Sequence, residues 1–211
     1  MIPADTDLRD TGLAPIGAGR TLVIACGALA REIIALIDMN GLTHLTLTCL
    51  PAILHNDPRK IPQAIENAVY KHKEDYDEIL IAYGDCGTGG QLQSLCDRLG
   101  VTMIDAPHCY AFFDGTKTFA QRGEVTSFYL TDFLARQFDA FVWEPLGLAR
   151  YPDLRDAYFG NYETLVYLAQ TENADLTAKA RDAAERLGLG FERRYTSFGD
   201  LEPFLTTGSG S

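Results

Sequence analysis

Ile79-Leu-Ile-Ala-Tyr83 runs directly into Gly84-Asp-Cys-Gly-Thr-Gly-Gly90, and Gln91 to Leu99 follows with helical spacing. A short apolar run that stops at glycines and restarts as a helix is the pattern of a buried strand handing its chain to a helix N-terminus. The same pattern recurs on either side. Upstream, Thr21-Leu-Val-Ile-Ala25 leads through Cys26-Gly27 into a helical stretch from Ala28 to Met39. Leu45-Thr-Leu-Thr-Cys49 then reads as a strand broken by Pro51. Asp57-Pro58, an N-cap with proline at the first helical position, opens a helix to about Lys73. Downstream, Gly100 caps the helix, and Val101 to Ile104 is a further strand leading into Asp105-Ala-Pro-His-Cys109.

Strands alternating with helices predict parallel pairing, right-handed crossovers and helices on both faces of the sheet. The expected fold is therefore a three-layer α/β domain, Rossmann- or flavodoxin-like, with a parallel sheet of about five strands. Ala140-Phe-Val-Trp143 is taken as the fifth strand, after a long helical region from Tyr110 to Gln137. Helices are expected over 152–171 and 173–187, and Phe191-Glu-Arg-Arg-Tyr195 as a last strand, giving an α-rich C-terminal extension. One domain is expected over 1–205, with Thr206-Thr-Gly-Ser-Gly-Ser211 as a flexible tail.

Composition restricts the function classes. The 211 residues are enough for a full core, and 18 Lys plus Arg against 29 Asp plus Glu give a net charge of −11. So negative a surface repels phosphate backbones, which argues against nucleic acid as a partner. The longest apolar stretch, Leu22 to Ala30, falls short of the ~18 residues that span a bilayer, so no membrane role is expected. The start lacks a basic segment followed by an apolar one, so a cytoplasmic location is expected. There thiols stay reduced, and an odd count of five cysteines speaks against a disulfide framework.

Parallel sheets bind ligands beyond the carboxyl ends of their strands. Three strand ends carry cysteine: Cys26, Cys86 and Cys109. In the common strand order 2-1-3-4-5 these tips are neighbours, within ~10 Å of one another at the usual strand spacing. Loops curling inward bring the three sulfurs toward one ion at Zn–S distances of ~2.3 Å, with His108 as a fourth ligand or a neighbour of the ligands. Cys26 and Cys86 both precede helices, whose N-termini favour thiolate. Gly27, Gly87 and Gly89 let the backbone approach a cofactor closely. His55 suits a general base or substrate contact. Asp85 and Glu144 suit moving a proton or orienting a histidine, with loop capping as the alternative. Cys49 and Cys96 read as core filler, His44 and His72 as surface residues. Tyr110, Phe112 and Phe113, with Tyr158, Phe159 and Tyr162, read first as core packing.

Several of these stretches resemble an uncharacterised family, domain of unknown function 1638. They are Ala25-Cys-Gly-Ala-Leu-Ala-Arg-Glu32, Leu50-Pro-Ala-Ile-Leu-His-Asn56, Tyr83-Gly-Asp-Cys-Gly-Thr-Gly89, Pro107-His-Cys109, Glu144-Pro145 and Phe159-Gly-Asn-Tyr162. The resemblance implies that Cys26, Cys86 and Cys109 are the functional residues, and it implies an association with one-carbon metabolism near corrinoid methyltransferases. Gly84-Asp-Cys-Gly is also faintly similar to the Gly-His-x-x-Cys-Gly motif of β-type carbonic anhydrases, but the histidine of that motif is missing.

The first expectation is a zinc-thiolate protein of methyl or one-carbon transfer, activating a small-molecule thiol, water or methyl acceptor. A [4Fe-4S] cluster with one open iron is the second, lyase-like expectation. The third is a non-catalytic accessory that binds a corrinoid protein or delivers a metal.

Overall fold

The structure is a computed structural model and describes residues 3–207. The chain folds as mixed α/β. In place of one domain over 1–205 with an α-rich extension, it divides into two compact units. The first takes in the chain up to Thr116 and resumes at Phe198; the second is Lys117–Ser197.

The first unit begins with α1 (Asp5–Asp10) and β1 (Leu13–Ile16). β2 (Thr21–Cys26) passes through a tight turn at Gly27–Leu29 into α2 (Ala30–Asn40), and β3 (Leu45–Leu50) follows. Then come α3 (Ile61–His72), β4 (Glu78–Ala82), α4 (Gln91–Leu99), β5 (Thr102–Met103) and α5 (Cys109–Asp114). The sheet order is β1-β3-β2-β4-β5, with β1 antiparallel to β3 and the other pairs parallel. The four cysteine-bearing and neighbouring strands thus lie in the order the alternation predicts. Edge strand β1, in a polar entry segment, is an addition.

Both faces of this sheet are covered, which is why its central strands are buried at nearly every position. Val23, Ala25, Leu47, Cys49, Leu80 and Ala82 pack with Ile33 and Leu36 of α2. Leu22, Ile24, Ile79, Ile81 and Tyr83 pack with Ile65 and Val69 of α3 and Leu92 and Leu95 of α4. Register aligns Ala25 with Cys49 on one side and with Ala82 on the other. Cys26 and Tyr83 therefore leave their strands side by side. His72, expected on the surface, is buried on the α3 side, where its ring meets Tyr76 edge-on.

The second unit follows α6 (Thr116–Arg122) with β6 (Ser127–Leu130), α7 (Asp132–Arg136), α8 (Leu154–Phe159), β7 (Thr164–Ala169), α9 (Ala174–Leu187) and β8 (Gly190–Tyr195). Its three strands form a parallel sheet in the order β6-β7-β8. The segment expected to be helical over 152–171 thus holds a central strand. Thr164-Leu-Val-Tyr-Leu-Ala169 is apolar on every side, and five of its six residues are buried, leaving no polar face for a helix. Conversely, Ala140–Trp143, expected as a fifth strand, lies in a wide helical turn over Asp139–Trp143. It turns Phe138 and Val142, four apart, into the core, while the Arg186 guanidinium of α9 lies 4.2 Å from the Trp143 ring centre. After this unit the chain returns to the first as α10 (Leu201–Thr207), whose Leu201 and Leu205 join the core beside α2. Of the expected tail 206–211, Thr206 and Thr207 close α10, and the other four positions lie outside the described residues.

Acid is expected to loosen the second unit. Arg194 grips Glu124 with two hydrogen bonds of 2.7 Å, and both side chains are mostly shielded. This guanidinium, aided by the Tyr129 hydroxyl and opposed by burial, holds the Glu124 carboxyl down at about 2. A carboxyl lowered in the folded state stabilises above its unfolded pKa of about 4.3, and that stability is lost as pH falls through the folded value. Denaturant unfolding of Arg194→Gln is expected to show a loss of about 1–2 kcal/mol at pH 7. The variant should then be less sensitive than the parent between about pH 4.5 and 2. Parallel pH profiles for the two proteins would discount this clamp.

Candidate thiol site

Three strand ends deliver the cysteines to one edge of the first sheet. Cys26 is the last residue of β2, in extended backbone, and Gly27 follows because nothing larger fits. A Cβ at Gly27 would stand 2.1 Å from the Leu8 carbonyl oxygen of α1. The loop after β4 is joined to the loop after β5 by main-chain bonds. The Asp85 amide donates to Ala106 O at 2.8 Å and the Cys86 amide to Pro107 O at 2.9 Å. Gly84 permits this approach, since a Cβ there would lie 3.0 Å from the Ala106 oxygen and from the His108 backbone. Cys86 takes a left-handed backbone conformation, φ +48°, which is costly for a residue other than glycine. Cys109 opens α5, and the buried Phe112 and Phe113 anchor that helix.

The three thiols, each partly exposed, interact with one another. Cys86 and Cys109 act most strongly on each other, and the Cys109 amide also favours charge on the Cys86 sulfur. That interaction, with help from the Cys109 and Gly84 amides, lowers the Cys86 pKa against the opposing effect of burial. Cys109 moves the other way, well above the ordinary thiol value, through its interaction with Cys86 and then burial. Burial, followed by the nearby Cys86, pushes Cys26 up to about 12, although the Ala28 amide and Tyr83 oppose it. The expected thiolate character thus falls to Cys86 through its interaction with Cys109, while Cys26 runs contrary to the helix-terminus argument.

Three further residues share this interior, and their signals in the sequence are weak. Tyr83 is buried, and its hydroxyl finds no partner within hydrogen-bonding reach while interacting with Cys26. Burial and the Cys26, Cys49 and Cys86 sulfurs raise its pKa well above the ordinary value. Cys49 is core, as expected, and it also lies within electrostatic reach of Cys26 and of the buried Glu32. Register was the available signal, since it sets Cys49 beside Ala25. Cys96 is core alone, its sulfur 3.9 Å from that of Met103.

The remaining expected site residues fall in different places. Asp85 closes its own loop, accepting hydrogen bonds from the Thr88 hydroxyl at 2.6 Å and from the Gly89 and Gly90 amides at 3.0 and 2.7 Å. Burial raises its pKa, but these bonds outweigh that and leave it below the ordinary carboxylate value. The Gly89 amide is therefore engaged by Asp85, while Gly87 (φ +85°) packs near Pro58. The Asp57 carboxylate pairs with Arg59 and Lys60 and leaves the helix start uncapped. His55 is exposed, yet the protein around its ring and then His108 lower its pKa. Burial likewise lowers His108, whose ring stacks on Tyr110 at 4.8 Å. Glu144 belongs to the second unit and is exposed. Beyond the glycine loop, a cavity of about 590 Å³ is lined by Gln63, Ser94, Arg59 and Arg98; the arginines pair with Asp57 and Glu66.

Among the described residues, no three His, Cys, Asp or Glu side chains stand in ready-made ligating geometry, and no helix is long and apolar enough to cross a membrane. No curated protein matches the chain. Among solved structures, an ornithine carbamoyltransferase from Pyrococcus furiosus is 13% identical with a TM-score of 0.24. The match covers 84% of this chain and 54% of that enzyme, so the chain spans about half the enzyme's length. The sequence model of a family described as "Protein of unknown function (DUF1638)" matches residues 49–205, a span that holds Cys49, Cys86 and Cys109. The chain belongs to that family.

Proposed function

We propose that Cys26, Cys86 and Cys109 hold a soft metal cation, zinc in the first instance, at the edge of a three-layer Rossmann-like unit, and that the site serves methyl or one-carbon transfer. The observation that carries this reading is that three partly exposed thiols lie within electrostatic reach of one another and of a buried tyrosine hydroxyl that lacks a close partner. Three sulfurs suit a soft cation, and side-chain rotations at the strand ends would have to draw them inward. A bound zinc lowers the pKa of a thiol or water in its fourth position. Tyr83 would donate its hydroxyl proton toward the Cys26 sulfur, steadying that thiolate. His55, neutral near pH 7 and exposed at the same edge, would take the proton that an incoming thiol or water gives up. Free thiols at all five positions fit a reducing, cytoplasmic compartment.

Metal analysis of protein purified without chelator tests the reading. The expected result is about one zinc per chain, falling about ten-fold or more in Cys26→Ala, Cys86→Ala and Cys109→Ala and unchanged in Cys96→Ala. A brown sample with iron and sulfide would replace zinc by a [4Fe-4S] cluster on the same cysteines. Retained metal without turnover on any methyl donor, together with capture of a corrinoid protein, would make the chain an accessory. Failure to retain or take up zinc or iron overturns the reading.

A further inference from the structure

The loops that carry two of the three thiols, Cys86 and Cys109, are bonded to each other. The 85–86 and 106–107 segments are joined by two main-chain hydrogen bonds of 2.8 and 2.9 Å, which fixes the backbones carrying Cys86 and Cys109 across from each other. Cys109 is near enough to the Cys86 sulfur for its thiol and amide to act on it electrostatically. Cys86 is held in left-handed backbone, φ +48°, and the Cys109 helix is anchored by Phe112 and Phe113, so neither residue drifts freely. Both are partly exposed, whereas Cys49 and Cys96 are buried.

We infer that Cys86 and Cys109 are a redox dithiol that closes to a disulfide when a low-molecular-weight disulfide reaches this edge of the sheet. The Cys86 sulfur attacks one sulfur of the incoming disulfide, and the other leaves as a thiol, giving a mixed disulfide on Cys86. The Cys109 sulfur then attacks that of Cys86. The second small thiol departs with the Cys109 proton. Two protein thiols and one disulfide become one protein disulfide and two small thiols, with no other reactant. The inference shares sulfurs with the proposed cation site but rests on their pairing alone.

Glutathione disulfide, added to the reduced, chelator-stripped full chain, is the test. Acid quenching, alkylation and peptide mapping read the product. The expected product is a Cys86–Cys109 linkage at least about ten-fold over any other pair, still formed in Cys26→Ala. In Cys109→Ser the mixed disulfide on Cys86 should accumulate, with circular dichroism confirming that this variant is folded. Absence of the linkage, or a dominant Cys26–Cys86 product, overturns the inference. Stripped protein separates the two readings: zinc retention without the linkage removes the dithiol, and the linkage in a chain that binds no metal removes the cation.

Discussion

Gly27→Ala is expected to release α1 from the first unit and to destabilise that unit by about 2–3 kcal/mol. The added methyl would lie 2.1 Å from the Leu8 carbonyl and 3.2 Å from that of Leu50, both main-chain atoms that cannot swing aside. β3 is fixed by pairing on both sides, so the six-residue α1 is the part that yields. Its anchor is Leu8, wholly buried, helped by the Arg31–Asp5 ion pair at 2.8 Å. Losing that anchor sets the size of the effect, since burying one leucine is worth about 1.5–3 kcal/mol. Urea unfolding checks the magnitude, and faster amide exchange over residues 5–10 checks the cause. Leu8→Ala should reproduce both, and iodoacetamide should label Cys26 faster in either variant. Protected α1 amides in a destabilised Gly27→Ala protein would place the strain elsewhere.

Asp132→Ala should cost more, about 3–5 kcal/mol, and should fall on the second unit. The Asp132 carboxylate is 1% exposed and accepts from the Tyr167 hydroxyl at 2.7 Å, the Gln170 amide at 3.0 Å and the Thr171 hydroxyl at 2.6 Å. The Gln170 side chain answers by accepting from the Asp132 amide at 2.7 Å. These bonds tie the end of β7 to the start of α7. Alanine would leave three donors facing a void, and unmet buried donors carry their full desolvation cost. A drop this large is a major share of the stability of an ordinary domain. Denaturant unfolding of Asp132→Ala and Asp132→Asn measures it, asparagine being the milder change because it keeps one acceptor oxygen. A loss below about 1 kcal/mol in the alanine variant would mean that water replaces the carboxylate.

The sequence made the first sheet legible because its strands are buried on both faces. Thr21–Ala25 and Ile79–Tyr83 are nearly continuous apolar runs, and Leu45–Cys49 alternates leucine with threonine; each is closed by a glycine or proline break, and such short runs admit few readings. The cysteines were legible for the same reason, each sitting where a run ends. Tyr83 was hidden by being the last apolar letter of its strand; only the side-by-side exit of β2 and β4 turns it toward Cys26. Glu32 was hidden because a charged helical residue reads as surface, whereas α2 presses it into the core. In the second unit, Thr164–Ala169 continues a helix-like stretch unless the Gly160-Asn161 break is given weight, and Ala140–Trp143 has the aromatic and β-branched letters of a strand. There the i to i+4 placement of Phe138 and Val142 was the better guide. Asp85 shows the limit of residue type as evidence: a carboxylate beside a thiol suggests proton transfer, but the amides of Gly89 and Gly90 claim it.

The second unit interrupts the first, and that order matters during synthesis. The Asp200 amide bonds Phe112 O at 2.7 Å, and the Asp200 carboxylate accepts from the Thr116 amide at 2.6 Å. Gly199 passes so close to Phe112 that a methyl there would meet its carbonyl at 2.1 Å. The helix that begins with Cys109 is therefore latched by residues translated some ninety codons later. A ribosome-bound chain can complete the inserted sheet while the helix that carries Cys109 still waits for its latch, so that thiol is secured only after the second unit has been made.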